Sequence, residues 1–523
     1  MQATPSPRER LLVPAAALLF LFLATFRGGV FLYQFHKASS GAWLDEAARV
    51  LDGERMYRDF TDAVGPGIVY LNAAAFHLAG RHIAVAAGCA LLVTAVLAAA
   101  LHALGAGRLP GRWRLLAPAL LVVVIAPPFD FGHPRWPALA LGVFALQRLA
   151  VPGAPLARAV QAGALLGAAA VFTADIALAL ALGAVLSLLT TRAAGGGRAA
   201  GVCAAAFVAV PAAVFAALAG PAGARAVLEG WLREPLAAGL RGAGHVEAFR
   251  WGVRTAAFLA VSLGGTAAAL WALRKDGDAA LRTPAIAGLA LAAAALAGPL
   301  DAYALAVHAV PLLPLLSAAL AAALAGASAP PRWTARLALS VLALALVHGL
   351  LLVPLRQRTL PAVRQRFRAG EVWIGAPNRE LAWIESRTRP GDRVFALPAS
   401  GGAFFLTGTR NASAFPFAVE GRFPAARQEQ VLRELDARAP AVGVWMGGQR
   451  TPAPPGADGL DRLEEGVRRG YRVAEALPGG TLLLERAGAP TSSARSQSDW
   501  GLSGAPLTGT NAPAVSESTR AGR

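Results

Sequence analysis

Six carboxylates lie in one segment that follows the first apolar block of the chain, and three of them could do chemistry. Asp45 and Glu46 are adjacent, and Asp59 comes later in the same segment. A carboxylate can accept a proton from a hydroxyl or an amine within hydrogen-bonding distance. It can also bind a divalent cation that neutralises a phosphate. The residue types alone leave a third reading open, in which the pair lies on the solvated face of a helix.

The spacing around the pair predicts a short helix over Trp43–Asp52. Its apolar residues recur at the i, i+3, i+4, i+7 positions of one helix face: Leu44, Ala47, Ala48 and Leu51. Asp45 and Arg49 fall on the opposite face. We therefore expect a helix that lies flat on a membrane surface and presents its carboxylates above the membrane.

The composition requires a membrane for most of the chain. Hydrophobic residues make up 55% of the 523 residues and charged residues 15%, against about 25% charged in a typical soluble domain. The apolar residues form long blocks from Leu11 to Pro354. This pattern excludes an ordinary soluble enzyme, a disordered chain and a fibrous protein, and it predicts a mainly α fold, a polytopic bundle of membrane helices.

Eleven apolar segments are candidate membrane spans, with a first outer loop over 36–80. The candidates are 11–33, 82–104, 115–128, 137–151, 159–174, 176–191, 199–219, 253–273, 284–300, 302–326 and 335–354.

The basic residues fit this arrangement. The net charge is +18, but no basic run interleaved with aromatic residues indicates a nucleic-acid partner. With a cytoplasmic N-terminus, every inner junction carries arginine, as the positive-inside rule requires. These residues are Arg108, Arg112, Arg114, Arg158, Arg192, Arg198, Arg274, Arg282 and Arg332. An odd number of spans then places the C-terminal domain outside the plasma (inner) membrane.

Two further outer segments are predicted, Phe129–Trp136 and Gly220–Trp251. The second has the pattern of an amphipathic interfacial helix. The first contains His133 and Arg135, and a cationic side chain there could bind a phosphate. The alternative is that Arg135 only marks the membrane interface, where arginine and tryptophan are common.

The composition becomes ordinary after the last apolar block. We predict three domains: a membrane domain over 1–355, a small α/β domain over 356–487, and a disordered tail over 488–523. The predicted elements of the α/β domain are strands Arg393–Leu397, Ala441–Trp445, Tyr471–Ala474 and Thr481–Leu484 and a helix Ala425–Ala437.

Several motifs together resemble a known family. The first outer loop carries Asp45-Glu46, Gly53-Glu54, Tyr57-Arg58-Asp59-Phe60 and Gly65-Pro66-Gly67, and the C-terminal domain carries Asp392-Arg393-Val394-Phe395, Phe405-Leu406-Thr407-Gly408 and Arg410-Asn411. This combination resembles the GT-C glycosyltransferases, in particular the branch with the protein O-mannosyltransferases and the lipid A aminoarabinose transferase.

The resemblance implies a multi-span enzyme that moves a sugar from a polyprenyl-phosphate donor to an envelope glycan, lipid or protein on the outer face. It implies Asp45 as the general base of a single inverting displacement, with Glu46 as a second catalytic carboxylate. Asp59, His133 and Arg135 are then the candidates for binding substrate. A divalent cation stays open as a cofactor.

Two positions depart from the family pattern. Gly65 stands where a proline is usual, and Asp175 stands near the outer end of a middle span where many members carry lysine. Two alternatives therefore remain: a transporter or flippase for a lipid-linked or small substrate, and an inactive scaffold of the same fold. The absence of a visible half-chain repeat argues against the transporter.

The remaining polar residues of the apolar blocks have simpler interpretations. Asp175 and Asp301 lie near span ends, where a carboxylate is usually solvated. His308 and His348 have no partner at helical metal-ligand spacing and are interpreted as packing residues. Two cysteines exclude a disulfide framework.

Overall fold

The first 350 residues fold mainly into helices whose apolar side chains share one large core. The computed structural model describes residues 7–27, 30–32, 38–60, 65–106, 109, 111–125, 133–150, 156–190, 195–228, 231, 253–274, 279–296, 302–325, 332–352, 355, 363–374, 376–398, 402–416, 418, 423–446, 459–478 and 480–487. The predicted tail 488–523, Asp301 and most of the outer segment Gly220–Trp251 lie outside these residues. Chain contacts divide the protein into Met1–Ala489 and Pro490–Arg523, and the features below all belong to the first unit.

Each predicted span overlaps a helical segment. The helices are α1 (Pro7–Thr25), α2 (Ala38–Leu51), α3 (Pro66–Ala79), α4 (Ile83–Ala106), α5 (Leu116–Ala119), α6 (Arg135–Leu149), α7 (Leu156–Phe172), α8 (Ala174–Thr190), α9 (Gly196–Val227), α10 (Val253–Arg274), α11 (Ala279–Ala295), α12 (Ala302–His308), α13 (Leu313–Leu324) and α14 (Arg332–Val347). Short 3-10 or π segments adjoin α5, α13 and α14.

Three of these helices are long and apolar enough to cross a bilayer: Ile83–Ala106, Gly196–Gly220 and Thr255–Arg274. Six further apolar helices, such as Leu156–Phe172, are shorter. The structure thus has the helical bundle that the hydropathy pattern predicts, and the count of eleven spans stays a prediction.

The first predicted span ends earlier than expected. The helix α1 stops at Thr25, and residues 26–32 form two short strands, β1 (Phe26–Arg27) and β2 (Val30–Leu32). The strand β2 pairs in parallel with the later strand Gly370–Ile374, with Phe31 opposite Val372. The prediction of one continuous span over 11–33 is wrong, because this pairing takes the backbone hydrogen bonds that a helix would otherwise make internally.

The described residues form two sheets. The first is β1-β2-β4-β3, where β3 is Val363–Phe367 and β4 is Gly370–Ile374. The second has the order β6-β5-β7-β9-β8, with β6, β5 and β7 parallel and β9 and β8 antiparallel to their neighbours. Its strands are β5 (Arg393–Leu397), β6 (Arg410–Asn411), β7 (Val442–Met446), β8 (Tyr471–Leu477) and β9 (Thr481–Arg486).

Four helices accompany this sheet: α15 (Arg379–Arg387), α16 (Ala403–Thr407), α17 (Ala425–Arg438) and α18 (Asp461–Gly470). The predicted strand Arg393–Leu397 is confirmed residue for residue, and the other predicted strands and the helix agree to within a few residues. The strands β3, β4 and β6 and the helices α15, α16 and α18 were not predicted.

The segment predicted as the first outer loop packs directly on the C-terminal domain. Leu44 and Ala47 of α2 share a buried apolar cluster with Phe404 and Phe405 of α16. The ring of Phe76 in α3 stacks on Phe405 with centroids 5.1 Å apart. The apolar face of α2, which we expected to rest on the membrane, is therefore covered by the protein's own C-terminal domain.

Candidate functional site

The carboxylate pair lies inside the protein rather than on a solvated surface. Asp45 is 3% exposed and Glu46 is 0% exposed. Both sit in the middle of α2, which is helical because small and apolar residues with good helix propensity, such as Leu44 and Ala47, surround them. The reading of the pair as a solvated helix face is wrong, because the C-terminal domain covers the helix.

Burial changes the acidity of Asp45. Loss of solvation raises the pKa of its carboxyl from 3.8 to about 7, with Arg49 opposing the rise and Glu54 and Asp52 adding to it. Burial disfavours the charged form of any carboxyl that has no compensating contacts. A pKa near neutrality lets one side chain accept a proton and release it again at ordinary pH.

Arg49, one helical turn after Asp45, contacts three separate parts of the chain. Its side chain is 4% exposed, and its Nε donates to Glu54 Oε2 at 2.6 Å. Its Nη1 donates to the main-chain carbonyl of Ser413 at 3.2 Å. Its guanidinium carbon also lies 4.5 Å from the centre of the Phe60 ring. The sequence pattern predicts Arg49 only as part of a polar helix face.

Asp52, just after the end of α2, links this helix to the C-terminal domain. Asp52 Oδ2 lies 3.1 Å from Nη2 of Arg410, and Asp52 Oδ1 accepts a hydrogen bond from Arg81. Arg410 opens strand β6, at the edge of the second sheet. The motif that contains Arg410 therefore contacts the first outer loop directly.

The turn after β6 is held rigidly from within. Asn411 Oδ1 accepts from the amide of Ser413 at 2.8 Å, and its Nδ2 donates to the carbonyl of Phe415 at 3.1 Å. Asn411 and Ser413 are 4% and 0% exposed. The triplet Asn411-Ala412-Ser413 has the sequence of a glycosylation acceptor, but in the fold it forms a buried turn.

The turn also presents three successive carbonyls to three arginines. The carbonyl of Asn411 accepts from Arg393 at 3.4 Å, that of Ala412 from Arg438 at 2.7 Å, and that of Ser413 from Arg49. Hydrogen bonds to charged donors are stronger than neutral ones. The Arg410–Ser413 segment is thereby fixed relative to α2.

Asp59 lies in a tight turn of the first outer loop. It accepts from the backbone amide of Arg55 at 2.8 Å and from the guanidinium of Arg58. The hydrogen bond from Arg58 lowers the pKa of Asp59, so this carboxylate is charged at neutral pH. The structure does not bring it into contact with Asp45.

The same turn holds an unusual backbone conformation. Tyr57 has a φ of 67°, a left-handed conformation that a bulky residue rarely adopts. Its buried ring packs edge-on against Phe215 with centroids 5.9 Å apart. Phe215 in turn lies 4.7 Å from Trp231, whose Nε1 donates to the carbonyl of Ala170. Burial of these aromatic rings stabilises the strained turn against the helical bundle.

The glycine-proline-glycine segment is shaped by its neighbour α7. A side-chain carbon at Gly65 would lie 2.1 Å from the carbonyl oxygen of Val171, and one at Gly67 would lie 2.8 Å from the ring of Phe172. Only glycine allows this approach at either position. The segment therefore lies beside the end of α7 at Phe172. The exposed Asp175 follows three residues later in the chain.

The second outer connection meets the first at Trp43. The rings of His133 and Trp43 are arranged edge to face with centroids 5.2 Å apart. The side chain of Arg135, at the first turn of α6, is partly buried, and Trp136 is 3% exposed within the bundle core. The structure thus brings His133 close to the helix of Asp45, and Trp136 is a core residue rather than an interfacial one.

The other candidates give no second site. His308 Nδ1 lies 2.7 Å from the carbonyl of Ala304, as expected for a packing residue. Within the described residues, no group of three His, Cys, Asp or Glu side chains is arranged to hold a metal ion. Sequence reasoning missed the roles of Arg49, Arg410 and Ser413, although the motif containing Arg410 was recognised.

Comparisons with known proteins address the fold. No family model and no curated protein matches this chain by sequence. The crystal structure of ArnT from Cupriavidus metallidurans bound to undecaprenyl phosphate matches with a TM-score of 0.56 and 12% identity, over 93% of this chain and 99% of that one. The Archaeoglobus fulgidus oligosaccharyltransferase, in complex with Zn and sulfate, matches with a TM-score of 0.54 and 13% identity, over 91% and 73%.

A third match is the mycobacterial arabinofuranosyltransferase AftD, with a TM-score of 0.51 and 14% identity, over 93% of this chain and 40% of that one. All three are GT-C glycosyltransferases. This chain has the GT-C fold. The resemblance predicted from the motifs of the first outer loop is confirmed at the level of the fold, which is what identities this low establish.

Proposed function

We propose that the protein is a membrane glycosyltransferase that moves a sugar from a polyprenyl-phosphate donor to an acceptor of the cell envelope. The observation that carries the proposal is the buried Asp45 carboxyl with a pKa near 7, on the first outer helix of a GT-C fold. The fold likeness to an ArnT structure that holds undecaprenyl phosphate supports a polyprenyl-phosphate donor.

In this reaction Asp45 accepts the proton of an acceptor hydroxyl or amine. The freed electron pair attacks the anomeric carbon of the sugar, and the bond from that carbon to the phosphate oxygen breaks. Polyprenyl phosphate leaves with both electrons of that bond, and the sugar inverts its configuration. Asp45 must be ionised before each cycle, and its pKa near 7 provides the ionised form at neutral pH.

Other side chains have supporting roles in the proposal. Glu46 is a second buried carboxylate beside the base. Arg135 and His133, on the connection that contacts Trp43, are the proposed contacts of the donor phosphate; the ring contact between His133 and Trp43 of α2 supports this role. Asp59, held charged by Arg58, is a candidate for contacting a sugar hydroxyl. The C-terminal domain lies outside the plasma membrane in this arrangement.

The test is a transfer assay on purified protein in lipid. Labelled polyprenyl-phosphate sugars and extracted envelope acceptors are supplied to the wild type, to Asp45→Asn and to Asp436→Asn. Asp436 is an exposed carboxylate on α17 and serves as the matched control. We expect label to move with the wild type and with Asp436→Asn, and not with folded Asp45→Asn.

Two other outcomes would change the proposal. Equal transfer by both variants would keep the enzyme class and remove Asp45 from its role. Absence of transfer with every donor, together with movement of the lipid-linked sugar across the vesicle membrane, would replace the enzyme with a flippase.

A further inference from the structure

The chain contains an arginine whose contacts link the first outer loop and the C-terminal domain within one turn of Asp45. We propose that Arg49 is a positioning residue that fixes the turn of α2 carrying Asp45 against the Arg410–Ser413 turn. The inference rests on the proposed function, because it assigns Asp45 the role of the base.

The first argument is geometric. Residues four apart on a helix lie on the same side, so Arg49 and Asp45 are neighbours on α2. Arg49 is 4% exposed, which means that its two hydrogen bonds replace water almost completely. One goes to Glu54 of the following loop and the other to the Ser413 carbonyl. A guanidinium can make both contacts at once because its donors point in fixed, different directions.

The second argument concerns the other end of the contact. The Ser413 carbonyl belongs to a turn that is closed by its own side chains and held by Arg393 and Arg438. A carbonyl on such a turn is a fixed acceptor. Displacing Arg49 from it leaves a buried carbonyl without its charged donor, which is costly. The position of the helix and of Asp45 therefore follows the position of the C-terminal sheet.

The third argument is electrostatic. Charged or titratable groups lie on several elements around the site: Glu46 and Arg49 on α2, Asp52 just after it, Glu54 and Asp59 on the loop, His133 and Arg135 on the second connection, and Arg81, Arg393 and Arg410 beyond them. The helix α16, which packs on α2, carries none. Asp52 is paired with Arg81 and Arg410. Among the groups that act on Asp45, Arg49 is the one that lowers its pKa, whereas Glu54 and Asp52 raise it.

The experiment measures the titration of Asp45 without relying on catalysis. Melting temperatures of the full chain in detergent are recorded against pH for proteins with and without Asp45→Asn, in the wild-type, Arg49→Gln and Arg49→Lys backgrounds. In each background, the difference between the melting temperatures with and without Asp45→Asn grows with pH and levels off near the pKa of Asp45 in the folded protein, so the pH at which it levels off reports that pKa. We expect Arg49→Gln to move this pH upward by about one unit and Arg49→Lys, which keeps the charge, to move it little.

A second variant covers the case in which Arg49→Gln does not fold. Glu54 is 22% exposed and raises the pKa of Asp45, so Glu54→Gln is expected to move the same pH downward. If this pH is the same in the variants that fold as in the wild-type background, the proposal is overturned. Transfer assays then add a second readout: Arg49→Lys should retain more activity than Arg49→Gln, and the acid limb of the Arg49→Gln profile should lie at higher pH.

The two proposals fail in distinguishable ways. If the wild type transfers no sugar but Arg49→Gln still shifts the pH that reports the ionisation of Asp45, the proposed function is wrong and the coupling of Arg49 to Asp45 stands. A wild type that transfers sugar, with Arg49→Gln lowering the rate equally at every pH, reduces Arg49 to a structural contact and leaves the function standing.

Discussion

Arg49 donates a hydrogen bond to the main-chain carbonyl of Ser413 at 3.2 Å, across 364 positions of the sequence. The contact joins the first outer helix of a GT-C fold to a turn of the C-terminal sheet. Together with the Asp52–Arg410 pair, it makes the C-terminal domain part of the environment of Asp45. The domain's place in the proposed function is therefore to hold the helix that carries Asp45.

We expect Asp45→Asn to melt at a higher temperature than the wild type at pH 7 and above. The folded pKa of about 7 exceeds the ordinary value of 3.8, so the unfolded chain releases this proton more readily. The resulting loss of folding free energy in the wild type is absent below pH 3.8 and grows until pH 7. There it reaches about 4 kcal/mol, at 1.36 kcal/mol per pH unit. Thermal melting of the two proteins between pH 4 and 8 measures it.

The exposed Asp436→Asn variant should show no such gain. A melting temperature of Asp45→Asn that falls further below that of the wild type as pH rises would contradict the raised pKa of Asp45, because it would mean that the fold stabilises the ionised form.

We expect sugar transfer to rise with pH through about 7. A general base works only when ionised, and the folded pKa of Asp45 places that change near neutrality. The measurement is the rate of transfer at saturating donor from pH 5.5 to 8.5. A profile that is flat over this range, or that falls as pH rises through 7, would exclude Asp45 as the base.

We expect Arg410→Gln to lower transfer several-fold while changing the melting temperature little. The pair of Arg410 with Asp52 is partly exposed, with side chains 41% and 18% exposed, and pairs of this kind contribute about 1 kcal/mol or less to stability. Its loss should loosen the end of α2 and so the placement of Asp45. Transfer rates and thermal melting of the same preparation measure both effects.

The matched control is Arg472→Gln. Arg472 pairs with Glu485 at 3.0 Å, with a similar exposure, on strand β8 at the opposite edge of the same sheet from Arg410. Equal losses of transfer in the two variants would show that the effect belongs to the domain as a whole and not to the contact with α2.

Local patterns predicted much of this fold. The apolar blocks predicted the helices, and the short continuous apolar run Val394–Leu397 predicted strand Arg393–Leu397. The position of Asp45 after the first apolar block, with the motifs around it, predicted the GT-C fold. Contacts between distant segments were not predictable in this way: the pairing of Phe31 with Val372 and the covering of Leu44 by Phe405 depend on tertiary packing, which outweighs local propensity.

The same limit explains the error about the site. A polar helix face predicts exposure only if nothing else covers it. The signal that could have corrected the prediction was the motif Arg410-Asn411 itself, since cations and an amide in a short turn can bind a polar helix face. The sequence carries no indication of which helix that turn contacts.

We expect Gly65→Ala to destabilise the protein by about 1–3 kcal/mol, the usual cost of overpacking, and to lower transfer. The backbone at Gly65 has φ −64° and ψ 151°, which alanine adopts without strain, so any loss comes from the clash of the new carbon with the Val171 carbonyl at 2.1 Å.

The control is Gly197→Ala in the first turn of α9, where a side-chain carbon meets nothing within 4 Å and helix propensity favours alanine. Thermal melting compares the two variants, and equal melting temperatures would contradict the close approach of α7. A proline at position 65 would place its Cβ at the same point, so the closeness of α7 accounts for glycine at this position.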